Sequence, residues 1–215
     1  GILILLLGQQ QETRLFLYIL YNQLYMFLKN ESWIYPNSLP EHICSDIIKY
    51  CLNKKNIQRG TVRDNSIQKI RNSFVVWNDE PWLKNTVMHY IKDANKSAGW
   101  NFDIETCEDI QFTIYGGDQH YDWHVDANDE VYQTGKHKGL IRKISASILL
   151  NNDYEEGDFL FNFRNGDNPN LAQKIKEKSV GTAIVFPSHM RHKVSKVKKG
   201  IRYSLVCWSL GKPFK

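Results

Sequence analysis

The chain has 215 residues, of which 42% are hydrophobic, 13% aromatic and 24% charged, enough apolar mass for one domain with a true core and too aromatic for a disordered segment. Its formal net charge of +5 is too small to mark a nucleic-acid surface on its own. Four cysteines, Cys44, Cys51, Cys107 and Cys207, form no Cys-x-x-Cys pair, which speaks against a zinc ribbon or a disulfide framework and for a reducing, cytoplasmic setting.

The first 28 residues are unusual. Ile2 to Leu7 is an apolar run, a polar Gln-rich break follows, and Leu15 to Leu28 is rich in Leu, Tyr and Phe. Neither run reaches the roughly 18–20 residues that cross a bilayer, and no basic flank or small-residue cleavage site suggests a signal peptide. Residues 1–32 therefore read as an apolar helical extension that packs on the domain or mediates self-association. A membrane-surface segment and sequence upstream of a start at Met26 are the other two readings.

Residues 33–215 read as one domain, with a helical lead-in over 33–100 and a strand-rich core over 101–211. Pro40 to Lys55 carries an apolar stripe of Ile43, Ile47, Ile48 and Cys51, with Ser38 or Asn37 as cap and Pro40 in the first turn. Asp79 to Ala98 predicts a second helix, capped by Asp79, with Pro81 in its first turn and Gly99 just beyond its end. From Thr106 the pattern changes to short alternating runs, predicting strands near 107–115, 120–125, 141–150, 158–163, 181–186, 190–197 and 201–209. Helices first and many strands after imply a mainly β, α+β domain in which helices support one face of a sandwich or barrel.

Charge is unevenly distributed. Asp103 to Glu130 holds nine acidic residues and no Lys or Arg, whereas Lys174 to Arg202 holds nine basic residues opposed only by Glu177. An acidic stretch suits a cation site and a basic one attracts an anion; a solvated outer face is the plainer reading of the lysines.

Within the acidic stretch stands His124-Val-Asp126, followed far downstream by His192 and then Arg202-Tyr203-Ser204. Two imidazoles and one carboxylate can hold a ferrous ion on one face and leave positions open for other ligands. Residues two apart at a strand end point to the same side, so this spacing suits joint ligation. A bare His-x-Asp is weak evidence; what strengthens it is the apolar run Thr182 to Pro187 that delivers the chain to His192, and the strand-like segment carrying Arg202. His189, three residues before His192, is the competing histidine and reads as a loop or rim residue. His120 reads as rim or packing, and His42, His89 and His137 show no clustering.

Taken together, Tyr115-Gly-Gly, Tyr121-Asp-Trp-His124-Val-Asp126, Arg142 to Asn151, Asp153 to Phe161 around Gly157, Phe186-Pro187-Ser188, His192-Lys-Val and Gly200-Ile-Arg202-Tyr-Ser-Leu-Val-Cys-Trp208 resemble, in order and spacing, the catalytic domain of the iron- and 2-oxoglutarate-dependent dioxygenases. The likeness runs from Gln111 to Trp208 and is to the prolyl 4-hydroxylase-like branch with its PKHD-type members. It implies a double-stranded β-helix, or jelly roll. It also implies Fe(II) held by His124, Asp126 and His192, with 2-oxoglutarate and O2 as co-substrates and ascorbate as a further ligand. Arg202 would grip the far carboxylate of 2-oxoglutarate through its planar fork, helped by Ser204 and by Tyr115, which reads equally well as a core aromatic. Tyr121 should point inward near the metal and Trp123 away from it. With Tyr121, residues Trp208, Arg71 and Trp77 are the candidate substrate-pocket residues. No catalytic residue beyond the metal triad is required.

The implied reaction is hydroxylation of an unactivated C–H bond, in a peptidyl prolyl residue of a peptide or protein or in a small amino-acid-like substrate. Oxidative demethylation of a nucleic-acid base is the second enzymatic reading; Trp208 stands where that branch carries a second arginine, which counts against a nucleic-acid partner. A jelly-roll binding module without catalysis is the third.

Overall fold

A computed structural model describes residues 30–61, 70–127, 130–163 and 172–214. The extension expected over residues 1–32 lies outside them except for its last three residues.

The chain opens with strand β1 (Trp33–Tyr35) and helix α1 (Glu41–Leu52), then β2 (Gln58–Arg59), β3 (Arg71–Asn72) and β4 (Phe74–Asn78), then helix α2 (Pro81–Ser97). Eleven further strands follow: β5 (Thr106–Cys107), β6 (Ile110–Tyr115), β7 (His120–His124), β8 (Ile141–Leu149), β9 (Glu155–Glu156), β10 (Phe159–Asn162), β11 (Gln173–Lys174), β12 (Ala183–Pro187), β13 (Arg191–Val194), β14 (Val197–Lys199) and β15 (Arg202–Gly211).

Both helices begin without the side-chain caps expected of them. Pro40 and Glu80 occupy the capping positions with no side-chain hydrogen bond to the helix. Ser38, expected as a cap, instead donates its hydroxyl to the carbonyl of Gly181. Gly181 lies in the left-handed region, at φ +78°, and an added Cβ would fall 1.9 Å from the Leu39 carbonyl oxygen. Only glycine permits so close an approach, and it fastens the entry to α1 onto the loop before β12.

The strands divide among an eight-stranded sheet ordered β1-β12-β8-β15-β6-β4-β2, with β5 also on β15, a five-stranded sheet ordered β11-β10-β13-β7-β3, and the pair β14-β9. Neither large ladder returns to its first strand, and no sheet closes or curls strongly. The expected double-stranded β-helix, or jelly roll, is therefore not what forms; the fold is a strand-rich α+β arrangement of open sheets. The reason lies upstream of residue 100. Strands β1 and β2 form the two ends of the larger sheet and β3 one end of the smaller. These short segments have too few residues to show alternation in the sequence.

Two apolar layers hold the elements together. Leu83, Val87 and Ile91 of α2 and Ile47 of α1 lie fully buried against Val76, Phe112, Ile148 and Leu205 of the larger sheet. Each such side chain contributes about 1.5–3 kcal/mol through burial. On the sheet's other face, Phe186 joins Phe159, Phe161 and Val194 of the smaller sheet. The functional residues sit at the margin of this second layer. Among the described residues no helix is long and apolar enough to cross a membrane.

Candidate metal centre

His124 ends β7 and His192 lies within β13, directly opposite it in the antiparallel ladder. Asp126 follows β7 by two residues, in a bend whose Asp126 and Ala127 N–H groups both donate to the carbonyl of Ser188. Ser188 is fixed in turn by Ser145 of β8, their hydroxyl oxygens 2.9 Å apart. The carboxylate thus stands between the imidazoles: His124 Nε2 is 3.6 Å from one oxygen and His192 Nε2 3.5 Å from the other. One donor atom from each residue lies within 4.8 Å of the other two. His192, and not His189, completes the group; His189 is exposed on the preceding turn.

The other ring nitrogens show what this cluster is arranged to do. His124 Nδ1 lies 2.7 Å from the carbonyl of Asp122 and His192 Nδ1 2.9 Å from that of Met190. A carbonyl only accepts, so each Nδ1 carries a proton, and Nε2 is the nitrogen that faces Asp126 and is free to offer its lone pair to a metal. Burial, aided by the neighbouring His124, pulls the His192 pKa down to about 4, which keeps that imidazole neutral. Asp126 is buried too, which by itself would raise its pKa. The adjacent imidazoles and the Arg142 guanidinium outweigh this and hold the carboxyl ionised, well below the usual range. Two imidazoles and one carboxylate facing a common point fit a divalent cation.

The β7–β13 ladder slips between its pairs: His192 opposes His124, but Val194 opposes Tyr121. The extra residue brings Tyr121 to the face of His124, where the rings stack at 3.5 Å and 10°. On the β3 side Arg71 pairs with Tyr121 and its guanidinium lies 4.7 Å from the same ring. Trp123 packs under the Lys193 ammonium, 4.9 Å away.

Beside the triad a narrow pocket of about 410 Å³, open solvent included, reaches between the sheets. Arg202 also lines it, 2% exposed and paired in register with Tyr115. Arg202 Nη1 donates to Ser204 Oγ at 3.0 Å, while Nε is buried with no hydrogen-bond partner. Among the described residues Arg202 forms no ion pair. A buried guanidinium left in this way is costly unless an anion joins it. Gly157 makes the room, since a Cβ there would lie 3.2 Å from Arg202 Cδ.

In front of the triad opens a groove of about 1270 Å³, solvent included, walled by Arg71, Trp77, Tyr121, Tyr132, Arg142 and Trp208. Of these, Arg142 and Tyr132 were not singled out from the sequence, nor was their partner Glu108. Arg142 grips Glu108 with two hydrogen bonds, 2.5 and 2.8 Å, and Tyr132 donates to the same carboxylate at 2.6 Å. The Arg142 guanidinium also covers the Trp208 ring at 4.0 Å. A break in the β8–β15 register explains why alternation misses Arg142: Ser209 opposes Ile144 but Leu210 opposes Arg142. The skipped Lys143 turns Arg142 to the groove side.

Open sheets bearing a His–Asp–His cluster, with a buried guanidinium lining the same pocket, define a domain suited to a divalent metal and an anionic co-ligand. Residues 110–210 match the model of the 2OG-Fe(II) oxygenase superfamily, and the chain is similar to proteins of its PKHD-type, prolyl 4-hydroxylase-like branch. A PKHD-type hydroxylase of Alteromonas mediterranea is 32% identical over 100 residues, 45% of this chain and 41% of that protein. Prolyl 4-hydroxylase subunit alpha-1 of Caenorhabditis elegans is 32% identical over 77 residues, 35% of this chain and 14% of that protein. These alignments span less than half the length of either relative. In fold, the chain is similar to a Pseudomonas putida prolyl-4-hydroxylase, with a TM-score of 0.65 at 18% identity over 85% of this chain and 94% of the other. It is also similar to a Trichoplax adhaerens prolyl hydroxylase in complex with a peptide fragment of the hypoxia inducible factor oxygen degradation domain. There the TM-score is 0.64 at 21% identity, over 94% and 92% of the two chains.

Proposed function

We propose that this chain is an Fe(II)- and 2-oxoglutarate-dependent oxygenase that hydroxylates an unactivated C–H bond in a peptidyl residue, proline or one similar to it. The observation that carries this reading is one pocket lined both by the His124–Asp126–His192 cluster and by Arg202, whose buried Nε has no hydrogen-bond partner. When bound, the iron would couple oxidative decarboxylation of 2-oxoglutarate, yielding succinate and CO2, to insertion of one oxygen atom into the substrate. The rest of the chemistry falls to positioning by the chain itself.

His124, Asp126 and His192 would hold the metal through two imidazole nitrogens and a carboxylate oxygen. Arg202 and Ser204 bind the distal carboxylate of 2-oxoglutarate, and Tyr115 lines the same pocket. Trp208, Arg142 and Tyr132, braced by Glu108, form a stiff wall beside the metal face. Arg71, Trp77 and Tyr121 continue the groove in which an extended peptide would lie. Ascorbate belongs to the proposal as the reductant that keeps iron ferrous.

Anaerobic titration of the protein with Fe(II) and 2-oxoglutarate tests the site, with a weak visible charge-transfer band expected and its loss in His124→Ala. Mass spectrometry of proline-containing peptides incubated with the loaded protein tests the substrate, through gain of a single oxygen. Absence of the band would overturn the site; a band without peptide oxidation would overturn the peptidyl substrate alone.

A further inference from the structure

The four cysteines separate into two pairs that take no part in the proposed reaction. Cys44 and Cys51 are buried on α1, and burial pushes each thiol up to about 11. Cys107 and Cys207 lie on adjacent strands, where Ser209 faces Cys107 and Leu210 faces Thr106. Cys207, two residues before Ser209, is therefore the diagonal neighbour of Cys107 and shares its face. Both pack against the core beneath the helices, close enough for each thiol to shift the other's ionisation. Cys207 is fully buried and Cys107 half-buried, so Cys107 is the member of the pair nearer to solvent. Strand β5 is two residues long and pairs with β15 alone, which lets it follow a small closure.

We propose that Cys107 and Cys207 form an oxidation site that takes a small peroxide and closes to a disulfide between β5 and β15. The Cys107 thiolate attacks one peroxide oxygen and the O–O bond breaks; with one proton, this leaves a sulfenic acid and one water. The Cys207 sulfur then attacks the Cys107 sulfur, forming the S–S bond as the S–O bond breaks. The departing hydroxide leaves as water with the Cys207 proton. Two thiols lose two electrons in all, and hydrogen peroxide is reduced to two waters.

The surroundings assign the roles. The hydrogen bond from Cys207 holds the Cys107 thiol down to about 7, against burial and Asp109, with Lys84 and Lys136 assisting. The same bond, together with burial, pushes Cys207 well up. Cys107 is thus the attacking sulfur and Cys207 the resolving one. The pair lies directly behind the groove wall: the next residue after each cysteine is Glu108 and Trp208, whose backbones are joined by a 3.0 Å hydrogen bond from Glu108 N–H to the Trp208 carbonyl.

The test uses the full chain, freed of adventitious iron by a chelator, exposed to a slight excess of hydrogen peroxide and then alkylated. Loss of two hydrogens in the intact mass, a peptide map joining Cys107 to Cys207, and reversal by dithiothreitol are expected. Cys207→Ser should stop at a single-oxygen gain on Cys107 that dimedone traps, and Cys107→Ser should leave Cys207 unmodified over the same period. Four alkylatable thiols surviving in the wild-type chain would overturn the proposal, as would a Cys44–Cys51 link in place of the proposed one. The wild-type map needs no substitution, so it stands even if Cys207→Ser fails to fold.

Discussion

Asp126 and Arg202 differ in what their loss should do, because they answer different electrostatic problems. Asp126 is 6% exposed between two imidazoles. Burial keeps His192 neutral, so removing the carboxylate leaves no uncompensated cation at that ring. Asp126→Ala should therefore abolish iron-dependent succinate release while the circular dichroism spectrum and melting temperature stay close to those of the parent; unchanged turnover would refute the ligand assignment. Arg202 is a buried cation awaiting an anion. A charged hydrogen-bond pair of this kind is worth roughly 2–4 kcal/mol, so Arg202→Ala should raise the 2-oxoglutarate requirement roughly 30- to 700-fold. An unaltered requirement would mean that another cation holds the co-substrate. Cys107 gives a pH dependence of definite sign. Its thiol is held near 7 while those of Cys44 and Cys51 stand near 11, and only thiolates alkylate. The rate of Cys107 labelling by iodoacetamide should climb as pH rises from 6 to 8 and then level off, with Cys44 and Cys51 still protected at pH 8.

At the scale of elements, sequence pattern was informative where a ladder stays in register and silent where it slips. The alternating runs after Thr106 correspond to β6, β7, β8, β10, β12, β13 and β15, with ends moved by a few residues. His124, Asp126 and His192 could be read although the β7–β13 ladder slips beside them, because their residue types and spacing, and not alternation, single them out. Arg142 could not, since the skipped Lys143 reverses its side, and Glu108 is legible only through Arg142. Phe74–Asn78 lay in a stretch assigned to helices, although Phe-Val-Val-Trp is itself a strand-forming run. The jelly roll failed for a related reason: alternation names a buried face for each strand but does not say which strands form the sheet edges. The Arg142–Glu108 grip is also where an element-scale prediction belongs. Glu108 is 9% exposed and receives hydrogen bonds from both Arg142 and Tyr132. Arg142→Met should cost about 1.5–3 kcal/mol, the range for losing hydrogen bonds to a charged group. Replacing Glu108 by Gln in the same chain should recover part of that, because a neutral amide tolerates the loss of the guanidinium better. Urea midpoints of the three variants decide it; strict additivity would show that the two residues do not depend on each other.

For the whole molecule, the basic residues near the C-terminus turn out to be largely occupied. Lys174 and Lys178 hold Asp158, Lys198 holds Glu156 and Lys199 holds Glu155. That run of charge mainly fastens β9, β11 and β14, leaving Arg202 as the cation turned inward. The proposed metal donors belong to the smaller sheet and its following bend, and Arg202 to the larger. A dicarboxylate reaching from the metal to Arg202 would therefore tie two open sheets that otherwise meet through apolar packing. This gives a thermal signature distinct from turnover. A divalent ion at about a hundred times its dissociation constant stabilises a native state by about 2.7 kcal/mol, equivalent to about 5–11 °C for a domain of this size. With Mn(II) standing in for iron, the melting temperature should rise by that order. 2-Oxoglutarate should add a further increment only when the metal is present, because one carboxylate alone cannot span the gap. Arg202→Ala should keep the Mn(II) increment and lose the 2-oxoglutarate one, whereas His192→Ala should lose both. An equal 2-oxoglutarate increment with and without metal would place the co-substrate elsewhere and separate the two halves of the proposed site.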